Sequence, residues 1–181
     1  AVAVSALLAL TYNLTGVGES STGIAQDKLD EYAETVLPGA SFKQTNLLAE
    51  TAVDGVTLLG VYQDENGNGC ALNISAKGYH GNDSLNLFIA FDTDGAIAGI
   101  YPISTQETPG LGAKVTEADY LKNYVGKTGQ VTVSTDGSGD IDAVAGATIS
   151  SNSLGDAVNA AFTFYEEVKG GLRHELFKNV Y

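Results

Sequence analysis

The sequence predicts an α+β fold, a single domain in which a mixed or antiparallel sheet is flanked by helices. Three observations carry this. Short β-like runs cluster between residues 42 and 101 and return near 131–147, whereas helical periodicity is confined to segments before, between and after them. No internal repeat and no linker-like stretch divides the 181 residues, a length suited to one ordinary domain. Hydrophobic residues make up 44% of the chain, enough to bury a core rather than remain unfolded.

The elements follow in order. Residues 24–37 place Ile24, Leu29, Tyr32, Ala33, Val36 and Leu37 on one side of a helix, and Pro38-Gly39 stops it. Residues 42–62 alternate as β structure and end in GVTLLGVYQ; the polar turn DENGNG leads to CALNISAKGY. SLNLFIAF and AIAGIYPIS flank Asp94-Gly95, which predicts a hairpin. Residues 113–126 read as a short helix with Val115, Tyr120, Leu121 and Tyr124 inward. QVTVS and IDAVAGA read as strands around the loop TDGSGD. Residues 152–169 carry the clearest helical signal. Leu154, Ala157, Val158, Ala161, Phe162, Tyr165 and Val168 recur at three- and four-residue steps, and Gly170-Gly171 reads as its C-cap.

The chain opens with AVAVSALLALTYNLTGVG, without a charge until Glu19. A membrane span takes about 20 apolar residues, more than this run supplies. A core helix and a signal peptide are the competing readings, although a signal peptide carries a basic start that is not visible here. The preferred reading is a membrane-anchor helix over residues 1–18, truncated at its start, with Tyr12 at headgroup level and the soluble domain over residues 24–181.

Charge narrows the function. With 22 acids against 9 bases the formal net charge is −13, which argues against nucleic acid and against docking on an anionic lipid surface. The single cysteine, Cys70, lies in a strand-like run and reads as a small buried hydrophobe, so no disulfide within the chain is possible. His80 and His174 have no ligand spacing and read as surface residues; no metal site is expected.

Four polar segments remain. Asp64, Asn66, Asn68 and Gly69 match the first half of a calcium loop, but position 75 is a serine where the loop requires a bidentate glutamate, so a polar hairpin turn is expected. Asp136, Ser138 and Asp140 read as another polar loop. ETPGLGAK, Glu107 to Lys114, must follow an irregular path, because Pro109 fixes φ and Gly110 and Gly112 tolerate positive φ. It reads either as a plain turn or as a backbone loop that comes close to a flat ligand, with Glu107 and Thr108 as polar contacts. In DIDAVAGATISSNSL, Ala145, Gly146 and Ala147 clear space before Thr148 at the mouth of a helix. A helix N-terminus offers unpaired N–H groups and a positive dipole end, and it favours phosphate. Ser150, Ser151 and Asn152 then read as further donors. Simple N-capping by one of residues 148–152 explains the same letters.

ETPGLGAK followed by D-A-V-A-G-A-T, Asp142 to Thr148, resembles the FMN-binding domain shared by the G subunit of the Rnf complex and the C subunit of the sodium-pumping NADH:quinone oxidoreductase. The resemblance extends over most of the chain: the uncharged start, the helix ending VLPGA, the GYHGNDSLNLFIAFDTDGAIAGI region and both motifs. It implies one FMN per chain, joined through its phosphate to Thr148 by a dedicated flavin transferase. Asp142, Gly146 and Ala147 would belong to the recognition motif, with Ala145, Ile149 and Ser150 beside it at the cofactor. Glu107, Thr108, Pro109, Gly110, Leu111 and Gly112 would line the isoalloxazine pocket. The chain departs from the pattern at Ala145, where the family usually has Ser or Thr. Asp142 reads equally as a turn-forming residue or as a carboxylate that biases the flavin or binds a metal for the transferase.

The resemblance further implies a redox subunit that is no complete enzyme alone and has no catalytic residue of its own. Its complex would be a membrane-bound ferredoxin:NAD⁺ oxidoreductase that translocates ions. The partners implied are integral flavin-bearing and iron–sulfur subunits, and the domain would face outside the cytoplasm. The chain length favours the G subunit over the quinone-reductase C subunit. A stand-alone extracytoplasmic flavin carrier and a non-catalytic ligand-binding or adhesion module, in which AGAT is only a helix cap, are the rival readings.

Overall fold

The computed structural model describes residues 23–45 and 52–178, with side chains described through Gly170. The membrane-anchor expectation for residues 1–18 lies outside the described residues. Among the described residues no helix is long and apolar enough to cross a membrane.

Helix α1 spans Gln26–Val36. The strands β1 (Phe42–Thr45), β2 (Ala52–Val53), β3 (Val56–Asp64), β4 (Gly69–Gly78), β5 (Gly81–Asp92) and β6 (Ile97–Thr105) form a six-stranded sheet in the order β1-β3-β4-β5-β6, with β2 paired to β3. Every pairing in it is antiparallel. After β6 come a 3₁₀ turn (Gly112–Thr116), the single-turn helix α2 (Ala118–Leu121) and a second 3₁₀ turn (Lys122–Tyr124). Strands β7 (Val133–Ser134) and β8 (Ile141–Asp142) form a separate parallel pair, and helix α3 runs over Thr148–Lys178.

The sheet separates two cores, as the two-residue period of its strands requires. On one face Leu72, Ile74, Leu85, Leu87, Ile89 and Phe91 meet Leu154, Val158, Phe162 and Tyr165 of α3. On the other face Phe88 lies among Tyr32, Phe42 and Tyr62, with ring centroids 5.4–5.5 Å apart. This second core is closed by Leu29, Ala33 and Val36 of α1. The seven apolar positions expected on the inner face of the last helix are all buried.

The Asp64 turn takes the expected polar form. The Asp64 carboxylate accepts the Ser41 and Asn68 backbone N–H groups at 2.6 and 2.9 Å and the Asn68 side-chain amide at 2.9 Å. The hairpin at Asp94-Gly95 also forms, with the Asp94 and Ala96 N–H groups donating to Asp92 Oδ1. Among the described residues no group of three or more His, Cys, Asp or Glu is placed to hold a metal ion.

Four expectations require correction. The helix expected over 113–126 is broken into turns, because Glu117 adopts an extended backbone (φ −72°, ψ 143°) that ends one helical hydrogen-bond series and starts the next. The strand expected at QVTVS shrinks to Val133–Ser134, and the Asn159 side chain stands in for a strand neighbour at Val131, accepting its N–H at 2.8 Å and donating to its carbonyl at 2.9 Å. The strand expected at IDAVAGA ends at Asp142, since Gly146 turns left-handed (φ +78°) and leads the chain directly into α3. The last helix begins at Thr148 rather than 152 and passes through Gly170-Gly171 to Lys178. An interior glycine lowers helix stability by only about 1 kcal/mol relative to alanine, and by itself does not end a helix.

Candidate functional site

The site forms where two loops meet a helix N-terminus. At the end of β6 the Gln106 N–H donates to the Ser84 carbonyl at 2.8 Å. This anchors the chain before Glu107 turns inward, where it is 4% exposed. Beyond it the loop folds on itself: the Leu111 and Ala113 N–H groups both donate to the Thr108 carbonyl, at 3.1 and 3.0 Å. Gly110 supplies the left-handed residue this path needs, at φ +73°. Leu111 is thereby left 44% exposed at the rim.

The second loop is the short turn from β8 into α3. The Ala147 N–H donates to the Val144 carbonyl at 2.9 Å, and Gly146 makes the bend. The first turn of α3 then divides its side chains. Ser150 and Ser151 are buried, whereas Thr148 and Ile149 face out. The Ser151 hydroxyl donates to the Ala147 carbonyl and accepts the Val144 N–H, both at 2.9 Å. The Ser150 hydroxyl donates to Glu107 Oε2 at 2.5 Å. The sequence reading of these two serines as free donors to a phosphate is therefore corrected, since their protons are committed inside the protein.

A cavity of about 420 Å³ lies between the two loops. That is within the range of roughly 300–1,000 Å³ common for small-molecule sites. Of the residues expected at the site, it is lined by Glu107, Thr108, Leu111 and Gly112 from the first loop. Gly146, Ala147, Thr148, Ile149 and Ser150 line it from the second. Pro109, Gly110, Ala145 and Asp142 do not line it. Pro109 and Gly110 shape the loop, and Ala145 is exposed in the turn before Gly146. Asp142 is exposed on β8, in register with Ser134.

One wall was missed by sequence reasoning. Tyr79 lines the cavity from the two-residue turn between β4 and β5, where Gly78 and Gly81 face each other. It is 61% exposed. Its neighbour His80, read as a plain surface residue, shares a hydrogen bond with the Thr108 hydroxyl at 3.1 Å and meets the Tyr79 ring edge-on. The available signal was an aromatic pair between two glycines, which marks a tight turn.

The chemistry of the walls suits a flat amphipathic ligand with an anionic end. Tyr79, Leu111 and Ile149 offer apolar surface. The first turn of α3 carries no acidic residue of its own, and the one carboxylate beside it, Glu107, is held by the Ser150 hydroxyl and the Tyr79 N–H. Gly146 and Ala147 leave the backbone approachable. The exposed Thr148 hydroxyl stands at that same end.

These features define the class first: the sequence model of the FMN-binding domain family matches residues 78–163, which include both loops and the Tyr79 turn. Curated relatives then extend the match along the chain. The chain is 30% identical over 184 aligned residues to the G subunit of the ion-translocating oxidoreductase complex of Aliivibrio fischeri, covering 92% of this chain and 85% of that protein. It is 29% identical over 169 residues to the protein of the same name from Methanosarcina acetivorans, covering 92% and 89%. Against that of Vibrio vulnificus it is 28% identical over 181 residues, covering 91% and 83%. The chain belongs to this family of G subunits, built on an FMN-binding domain.

Proposed function

We propose that this protein is an electron-transfer flavoprotein subunit of a membrane-bound, ion-translocating oxidoreductase complex of the Rnf type, with one FMN joined by a phosphoester to Thr148. The observation that carries the attachment is the sorting of hydroxyls at the start of α3. Thr148 is exposed beside the cavity, whereas Ser150 and Ser151 are buried and already bonded.

FMN supplies the redox chemistry when bound. The residues of this chain hold and orient it. The N-terminal N–H groups of α3 favour the phosphate at Thr148. Tyr79, Leu111 and Ile149 give the ring an apolar seat, and Thr108 offers a polar contact. A covalent tether prevents loss of the cofactor and sets its distance to the next electron carrier. In this reading the domain lies outside the cytoplasm behind an N-terminal anchor at residues 1–18. A flavin transferase matures it, and integral flavin-bearing and iron–sulfur subunits exchange its electrons between ferredoxin and NAD⁺.

The test is co-expression of the full chain with the transferase, followed by a denaturing gel read by flavin fluorescence. A fluorescent band that disappears in Thr148→Ala is expected. A fluorescent Thr148→Ala band overturns the attachment. Purification from membranes together with integral partners supports the role within a complex, and a flavin-bearing protein that never associates with membrane subunits contradicts it.

A further inference from the structure

We propose that Glu107 is a positioning residue for the modification of Thr148. By holding Ser150 inward it turns the first turn of α3 so that Thr148 alone presents its hydroxyl to the flavin donor. This rests on the attachment reading given above and adds to it a residue that acts through another.

The geometry is specific. Glu107 Oε1 accepts the Tyr79 N–H at 2.9 Å, and Oε2 accepts the Ser150 hydroxyl at 2.5 Å. One buried carboxylate thus ties the β4–β5 turn to the helix that bears Thr148. The carboxylate has little freedom to move. A β-carbon on Gly112 would stand 2.7 Å from both Glu107 Oε2 and Ser150 Oγ, and one on Gly78 would collide with Glu107 Oε1. Both approaches require a residue without a side chain.

Helical periodicity supplies the consequence. Residues two apart on a helix are turned roughly 200° from each other, at about 3.6 residues per turn. Drawing Ser150 inward therefore drives Thr148 outward. Ser151 is held inward independently, through Val144 and Ala147.

In the attachment step a P–O bond forms between Thr148 Oγ and the phosphorus on the flavin side of a flavin dinucleotide donor. The P–O bond to the adenylate half breaks, and the adenylate leaves with the bonding pair. The hydroxyl proton passes to a base of the transferase. Glu107 exchanges neither proton nor bond; it fixes where the nucleophile stands.

The experiment compares wild type, Glu107→Ala, Glu107→Gln, Ser150→Ala and the Glu107→Ala/Ser150→Ala double variant, co-expressed with the transferase. Folding of each is checked by circular dichroism, and the initial rate and position of flavin incorporation are read by peptide mapping. Wild type is expected to carry flavin on Thr148 alone. Glu107→Ala and Ser150→Ala are expected to lose on the order of tenfold or more in rate, as for a misplaced reacting group. The double variant is expected to be no slower than the slower single variant. Glu107→Gln is expected to retain most of the rate, because the amide can accept the Tyr79 N–H and donate to Ser150 Oγ. If Glu107→Ala does not fold, Ser150→Ala, which removes one oxygen, decides. Folded single variants labelled on Thr148 at the wild-type rate overturn the positioning role and leave the attachment standing. A wild-type chain without flavin, or with flavin elsewhere, overturns both.

Discussion

Gly146 packs against Leu111: a β-carbon on Gly146 would stand 3.2 Å from Leu111 Cδ1. The two motifs that stand apart in the sequence therefore share one wall of the cavity. Gly146 also holds a left-handed backbone, which a side chain disfavours by about 1–2 kcal/mol. Gly146→Ala is predicted to lower the melting temperature by a few degrees, at about 2–4 °C per kcal/mol for a chain of this size. It is also predicted to slow flavin incorporation. Calorimetry and gel fluorescence check the two effects separately.

Gly112→Ala places its new methyl group against Glu107 and Ser150 together. Overpacking of a tight site costs about 1–3 kcal/mol. Urea unfolding is expected to show that loss, with flavin incorporation falling in parallel. An unchanged midpoint with normal loading would mean that the Glu107–Ser150 contact yields without consequence.

Asn159→Ala removes both partners of the Val131 backbone, which is 4% exposed. Leaving a buried polar group unpaired costs about 1–3 kcal/mol. The predicted signature is a lower urea midpoint together with faster amide exchange at Val131. The cofactor site, at the other end of α3's first turns, is predicted to keep its flavin.

Cys70 and Tyr165 set an alkaline limit. Burial pushes the Cys70 thiol from its ordinary value of 9.0 up to about 12. Burial likewise raises the Tyr165 hydroxyl from 10.0 to about 12. Both groups fold in their neutral forms. Their contribution is complete below the unfolded-state values and is lost as pH rises between about 9 and 12. Urea midpoints are predicted to be unaffected by these two groups at pH 8 and to fall progressively above pH 9. A thiol reagent at pH 8 is predicted to modify Cys70 only as the protein unfolds; rapid modification of the folded protein would contradict its burial.

The long helix was legible because Leu154 to Val168 keep a strict helical spacing against one sheet face. The Asp94-Gly95 hairpin was legible because turn chemistry is local. The 113–126 segment was misjudged because its apolar spacing survives in a chain of short turns, where Thr116 donates to the Ala113 carbonyl and Glu117 stays extended. At the site, the motif residues Glu107 and Thr148 were visible as letters, but their division of labour was not. Which serine points inward depends on a carboxylate delivered from another loop. Tyr79 escaped notice for the same reason, since only the β4–β5 register carries it to the cavity.

Peptide mass spectrometry of the co-expressed full chain distinguishes a covalent anchor at Thr148 from every other way of holding the flavin. The predicted result is a single modified peptide, containing Thr148, heavier by FMN less one water, with the fragment ions placing the added mass on Thr148. Flavin mapped to any other residue, or a Thr148 peptide left unmodified in the presence of active transferase, would contradict the account.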